Sequence, residues 1–307
     1  MAAHAADKSV APTAQSDAKV KHRIVATDGV RIFYREAGPK DAPAVLLMHG
    51  FPSSSHMFRH LIPALADRYH VVAPDYPGFG NSDFPDPKEF RYSFESYAQV
   101  MHRFVQAIGL THYALYIQDY GAPVGLRLAL LAPERVTALI VQNGNAYAEG
   151  LSGEWDPLKA YWRDPTPINR EKLRGWLNPD GMRLQYTAGL PASQIELLSP
   201  DTWTLDWSLL SRAGNIDVQL DLFGDYQTNI AIYPKFHTFF RERRPPTLIV
   251  WGRYDPFFTV EGAQAYKRDL PAAELHLLDA GHFALETHLP EIAILIRDFL
   301  SRHLKTR

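Results

Sequence analysis

Four short stretches of this chain set reactive side chains directly behind apolar runs. Asp119 follows Tyr113–Gln118 and is itself followed by Tyr120 and Gly121. His49-Gly50-Phe51-Pro52 follows the run AVLLM. Asp255 lies in Trp251-Gly252-Arg253-Tyr254-Asp255-Pro256, behind PPTLIV, and His282 lies in Gly281-His282-Phe283, behind AELHLLD. A carboxylate of ordinary pKa, near ~4, is ionised at neutral pH and can displace a leaving group from saturated carbon. An imidazole can draw a proton from water, and a second carboxylate can hold its tautomer. Each residue also has a plainer reading when taken alone. An aspartate ahead of a helix is a common N-cap, and isolated histidines and aspartates are mostly structural. What distinguishes these is that each stands just after a predicted strand.

The elements around them alternate. HRIVAT, Asp28-Gly29 and VRIFYREAG read as a hairpin, because Asp-Gly supplies a tight turn between β-prone runs. AVLLMHG (44–50) is apolar on both faces, as a buried parallel strand requires. A helix is expected over 55–67, a strand over 69–75, a helix over 93–108, a strand over 113–119, a helix over 121–132 and a strand over 136–143. After a gap the pattern resumes with a strand at PPTLIVWG, a helix over 260–270, a strand at AELHLLDAG and a closing helix over 290–303. This is βαβ patterning on a parallel sheet. In such a sheet ligands bind at the C-terminal strand ends, so the reactive loops should converge.

The gap holds five of the six tryptophans (Trp155, Trp162, Trp176, Trp203 and Trp207). It reads as an inserted helical cap, or lid, over residues 147–231. The core then comprises 21–146 and 232–307. Residues 1–20 are Ala-rich and polar and lack the apolar stretch of a secretory signal, so a disordered tail and a cytoplasmic location are expected.

Composition narrows the function. The 32 Lys and Arg against 34 Asp and Glu give a formal charge of −2, which offers nothing to attract nucleic acid or an anionic membrane. Cysteine is absent, which rules out disulfides, thiolate zinc sites and cysteine nucleophiles. No His/Asp/Glu cluster has metal-ligand spacing, and no Gly-rich phosphate loop follows a strand, so no cofactor is implied. The expected partners are a small apolar substrate and water. Oligomeric state cannot be read from the sequence.

Together the four motifs resemble the α/β-hydrolase fold superfamily, over residues 22 to about 303. Gln118-Asp119-Tyr120-Gly121 resembles its nucleophile elbow, with Asp119 where serine is usual. His49-Gly50-Phe51-Pro52 resembles its oxyanion-hole turn, which implies that the N–H groups of Phe51 and Tyr120 face a developing oxyanion and that His49 braces the turn. The order nucleophile, acid, histidine matches Asp119, Asp255 and His282. The Asp75–Ser82 turn also resembles the superfamily, with a structural role. An Asp nucleophile is the mark of the epoxide hydrolases and haloalkane dehalogenases. The resemblance then implies an ester on Asp119 that water, activated by His282, hydrolyses. The dehalogenase halide cradle places Trp after the nucleophile, where this chain has Tyr120. Haloacid-type members place arginines there, whereas the nearest here, Arg127, lies two helical turns along and is expected to be solvated or paired. Epoxide hydrolases use two lid tyrosines. Asp225–Asn229 resembles the segment bearing the second, which points to Tyr226. The first falls at Leu158 by alignment, with Tyr161 or Tyr147 as substitutes. Trp155, Trp162 and Phe283 are candidate pocket residues. The reading is an epoxide-hydrolase-like enzyme, with a carbon–halogen hydrolase as the alternative and a non-catalytic ligand sensor as the third.

Overall fold

The computed structural model describes residues 19–304. The expected tail over 1–20 therefore lies outside the described residues, apart from Lys19 and Val20. Eight strands form one sheet: β1 (Lys21–Thr27), β2 (Val30–Ala37), β3 (Ala44–Met48), β4 (His70–Pro74), β5 (Tyr113–Gln118), β6 (Val136–Gln142), β7 (Thr247–Gly252) and β8 (Glu274–Leu278). Their order is β1-β2-β4-β3-β5-β6-β7-β8. The β1–β2 hairpin pairs Thr27 with Val30, so Asp28 and Gly29 alone make the turn. Their φ values of 48° and 84° are both positive, as a type I′ turn demands. β2 pairs antiparallel with β4, and every later neighbour is parallel.

The central strands are buried on both faces, which explains their unbroken apolar runs. Alternate residues feed two cores. Leu46, Met48, Leu115 and Ile117 face one, with α2 (Phe94–Ala107) and α3 (Gly121–Leu131) packed over them after α1 (Leu61–Leu65) in the chain. Val45, Leu47, Ala114 and Tyr116 face the other, under α1 and the C-terminal helix. Helices therefore cover both faces, as the α/β reading expects.

Between β6 and β7 the chain runs through α4 (Asp156–Arg163), α5 (Pro167–Arg174), α6 (Pro179–Thr187), α7 (Ala192–Ile195), α8 (Asp201–Leu210), α9 (Asn215–Asp225) and α10 (Gln227–Arg243). The expected boundary at 231/232 falls inside α10, which runs unbroken until Arg244 turns left-handed at φ 45°. α11 (Val260–Asp269) and α12 (Ala284–His303) complete the fold.

Two expected helices differ. The one over 55–67 divides into a 3-10 turn, Ser55–Phe58, and the short α1. Buried Asp75 accepts the Ser55 N–H at 2.7 Å and so fixes the start of that turn. The closing helix begins at Ala284 rather than 290. It kinks at His288 (φ −124°, ψ 24°), just ahead of Pro290, whose ring clashes with a regular helical backbone before it. Among the described residues no helix is long and apolar enough to cross a membrane.

Candidate active site

Asp119 occupies the hinge between β5 and α3 at φ 50°, a left-handed conformation uncommon for a residue bearing a side chain. The turn is held from both sides. A Cβ on Gly121 would lie 2.2 Å from the Met48 carbonyl oxygen, and one on Gly125 would lie 2.7 Å from Ile117 Cγ2. Only glycine lets α3 close onto the strands there. The Asp119 side chain is buried against the β3 loop, where a Cβ on Gly50 would fall 2.3 Å from Asp119 Cβ. That close approach lets the Phe51 N–H donate to Asp119 Oδ1 at 2.6 Å.

His49 braces the loop, as expected. Tyr76 N–H donates to its Nε2 at 3.2 Å, its Nδ1 lies 3.2 Å from the Gly50 carbonyl oxygen, and its ring lies 4.1 Å from that of Tyr76. Burial lowers its pKa to about 3, so it stays neutral and keeps this pairing. Asp75 is likewise structural. Its second oxygen accepts the Asn81 N–H at 2.8 Å.

The loop after β8 carries His282 into the same space. Its Nδ1 lies 2.8 Å from Asp255 Oδ2 and its Nε2 lies 3.8 Å from Asp119 Oδ2. Three residues at three strand ends thus meet across 163 positions of sequence. Burial would depress the His282 pKa, but the facing Asp255, reinforced by Asp119, raises it overall. Asp119 is also pushed up from its ordinary range, to about 6. Burial is the main cause, opposed by His282 and by the backbone N–H groups of Tyr120 and Phe51. The site therefore combines a reluctant carboxylate, an imidazole and an orienting acid.

Two residues missed at the sequence level hold this geometry. Asn143 stands just after β6 at φ 44°. Its amide donates to Asp255 Oδ2 at 2.8 Å, and its oxygen accepts the Gly252 N–H at 3.0 Å. Asp255 Oδ1 takes the N–H groups of Phe257 and Phe258 at 2.8 and 3.1 Å. Asn143 occupies the same place relative to its strand as the other site residues, and that placement was the available signal. Gln118, fully buried beside the elbow, brings its amide nitrogen within 3.1 Å of His282 Nε2. With Nδ1–H donated to Asp255, Nε2 is left as the acceptor of that bond.

A cavity of about 50 Å³ opens above Asp119, walled by Phe51, Tyr120, Trp155, Leu158, Trp176 and Phe223. Gln185, Glu154 and Phe257 complete its rim. Of the candidates from β6 onward, Trp155 lines it, and so does Leu158, the aligned position. The Trp155 indole N–H is already donated to the Phe257 carbonyl at 2.9 Å. Trp162 does not line it. Its N–H donates to the Phe223 carbonyl at 2.8 Å, and its ring stacks on Tyr226. Tyr226 sits at the α9–α10 junction, behind Trp155 (ring centroids 4.5 Å apart) and Tyr120 (6.1 Å). Tyr226 does not line the cavity; its buried hydroxyl faces that of Tyr233, and burial raises its pKa, with Tyr233 and Asp119 adding to the effect.

Tyr161 and Tyr147 do not line the cavity. Tyr161 packs on Gly224 and faces an outer groove with Tyr92 and Asp225. The Tyr147 hydroxyl donates to Asp269 at 2.8 Å, away from the cavity. A tyrosine there is committed to packing or pairing before any ligand arrives. Phe283 is also not a wall residue. It stacks on Tyr186 at 4.0 Å and meets the His282 ring edge-on at 5.1 Å, so it supports the histidine. Arg127 is buried and paired, bonding Asn229 and Thr228 with Glu95 3.5 Å away.

The family profile of the alpha/beta hydrolase fold matches residues 43–289. The chain belongs to the α/β-hydrolase family. Among relatives of this hydrolase, an uncharacterized hydrolase of Saccharomyces cerevisiae is 46% identical over 276 residues, covering 89% of this chain and 94% of the yeast protein. A haloalkane dehalogenase of Mycolicibacterium paratuberculosis is 38% identical over 119 residues, 38% of this chain and 39% of its own length. The crystal structure of an epoxide hydrolase from Vigna radiata superposes with a TM-score of 0.69, covering 92% of this chain and 98% of that one at 22% identity. At that identity the likeness speaks for the fold alone.

Proposed function

We propose that this hydrolase uses Asp119 as a nucleophile on saturated carbon and hydrolyses the resulting ester with water activated by His282. One observation carries the reading. Asp119 Oδ1 already rests on the Phe51 N–H, while Oδ2 points toward His282. A serine enzyme would keep that N–H for its substrate's carbonyl. Here the side chain's own oxygen occupies the place, so the free Oδ2 is the attacking atom. Once the ester has formed, its carbonyl oxygen is Oδ1. Water attacks the Asp119 carboxyl carbon, His282 Nε2 takes the proton, and the Phe51 and Tyr120 N–H groups receive the oxyanion. A donor so placed typically contributes ~3–4 kcal/mol to the transition state. Asp255, pinned by Asn143, offsets the imidazolium. Collapse of the tetrahedral species restores Asp119 and releases the alcohol.

The leaving group in this reading is an epoxide oxygen, which needs a proton as the C–O bond breaks. The Tyr226 phenol, buried behind the cavity walls Trp155 and Tyr120, is the proton donor this reading assigns. The helices between β6 and β7 act as a cap that excludes water. A carbon–halogen substrate is the second reading, favoured by the dehalogenase relatives. Against it, the indole N–H groups of Trp155 and Trp162 are both occupied by backbone carbonyls, so a halide would have to take that of Trp176 at the cavity wall.

The test is a His282→Gln variant incubated with terminal epoxides and with 1-haloalkanes, then weighed intact. An epoxide should add its whole mass, and a haloalkane its mass less hydrogen halide, with peptide mapping placing the addition on Asp119. In wild type, a single turnover in ¹⁸O water should label the Asp119 carboxyl and leave the product unlabelled. Label directly in the first product would make Asp119 a general base and overturn the proposal.

A further inference from the structure

The cavity above Asp119 is narrow, about 50 Å³, and takes the reacting end of a substrate. The rest of any larger molecule must leave through a gap in the wall. One wall is shared with a second hollow of about 370 Å³ on the outer side of α6. The two hold Glu154, Trp176, Gln185 and Phe257 in common. These four residues form a neck between them, and beyond it Leu184 and Arg183 border the groove.

The polar groups of this path divide into spent and free. The Asn178 amide caps α6, its oxygen accepting the Gly181 N–H at 2.8 Å and its nitrogen donating to the Gly175 carbonyl. The Thr187 hydroxyl donates to the Arg183 carbonyl at 3.1 Å. The half-buried Trp176 and Gln185 differ. Trp176 packs edge-on against Phe223 at 5.9 Å, and among the described residues neither its indole N–H nor the Gln185 amide is committed to a protein partner. Both stand at the neck, one step out from Asp119. The charged groups, Glu154, Asp180 and Arg183, are all exposed and of mixed sign, so the groove does not select a charged tail.

We propose that the neck and outer groove are a substrate subsite for an uncharged, elongated electrophile, with Trp176 and Gln185 donating hydrogen bonds to an acceptor oxygen next to the reacting carbon. Glycidyl ethers and glycidyl amides are the matching class. Their oxirane reaches Asp119, the ether or carbonyl oxygen lies at the neck, and the apolar tail runs over Trp176 and Leu184. The inference rests on the epoxide reading for the identity of the electrophile, but its hydrogen-bonding claim can be measured without turnover.

The experiment is titration calorimetry of the wild type with two unreactive diols, 3-phenoxypropane-1,2-diol and 4-phenylbutane-1,2-diol, which differ by an ether oxygen in place of a CH₂. The ether should bind about 3- to 10-fold tighter, the range expected for one net hydrogen bond. Gln185→Leu and Trp176→Phe, each made separately, should bring the ratio toward one mainly by weakening the ether. Equal affinity in the wild type, equal losses for both diols in the variants, or no binding of either would overturn the subsite. Turnover of the two parent epoxides is read separately. If the diols discriminate as expected and neither epoxide is opened, the epoxide reading fails while the subsite stands.

Discussion

Replacing Asp119 by Asn should make the protein more stable, by an amount that depends on pH. The wild-type carboxyl is held near pKa 6 against an ordinary 3.8. The folded state therefore keeps its proton where the unfolded chain has already released it. Such a raised carboxyl costs nothing below pH 3.8, costs progressively more as pH rises toward 6, and costs its full amount above that. A difference of about 2 pH units corresponds to roughly 3 kcal/mol. Asparagine has the same shape, keeps an oxygen on the Phe51 N–H and carries no charge to desolvate. At about 2 °C per kcal/mol for a domain of this size, Tm should rise by about 6 °C at pH 8. At pH 4 the two proteins should melt together. Differential scanning calorimetry at half-unit steps from pH 4 to 8 gives both curves, with intact mass confirming that the amide has not reverted. A variant no more stable than wild type at pH 8, or a gain that persists at pH 4, would refute the burial argument for Asp119.

Three further outcomes follow from the same geometry. Ester formation, measured by rapid quench in the His282→Gln background, should be limited by ionisation of Asp119, so its rate at pH 5 should be about a tenth of the plateau or less, because losing His282 raises the Asp119 pKa further; a rate that is flat down to pH 4.5 would contradict this. Asn143→Ala removes a buried bond to Asp255, worth about 1.5–3 kcal/mol for a charged partner. Single-turnover kinetics should show ester hydrolysis slowed about 10- to 100-fold and ester formation nearly unchanged, whereas equal slowing of both steps would mean that the loop had collapsed. Tyr226→Phe removes only a hydroxyl, so ester formation from an epoxide should fall about 100-fold while the fold is kept; an unchanged rate turns the reading toward carbon–halogen substrates.

The parts of the site legible in sequence were those bound to strand ends. Asp119, Asp255 and His282 each follow an apolar run, and a parallel sheet brings such points together whatever lies between them. Gly121 was legible as part of the elbow motif, and the 2.2 Å approach of its Cβ position to the Met48 carbonyl oxygen shows why no other residue fits there. The helices between β6 and β7 were less readable. Tyr226 and Tyr161 look equivalent in sequence, yet one is buried behind the cavity wall and the other faces an outer groove, because helix rotation within a bundle depends on neighbours distant in the chain. The pairing of Trp155 and Trp162 with backbone carbonyls likewise depends on three-dimensional proximity that composition does not encode. Asn143 was not legible because an asparagine after a strand is ordinarily a turn residue, although its position matches that of the other site residues.

β6 and β7 are hydrogen-bonded neighbours, although 104 residues separate Gln142 from Thr247. The excursion leaves and rejoins the sheet one strand spacing apart, roughly 5 Å. Closing so long a loop is only slightly dearer than closing a short one, because the entropy grows with the logarithm of length. The register of the sheet, and with it the meeting of Asp119, Asp255 and His282, therefore makes no demand on what the excursion contains. Its helices can be lengthened, recombined or exchanged for another set while the two anchoring strands stay where they are. Heredity can revise what this enzyme accepts without reopening how it reacts, and a protein engineer can cut at the same two points.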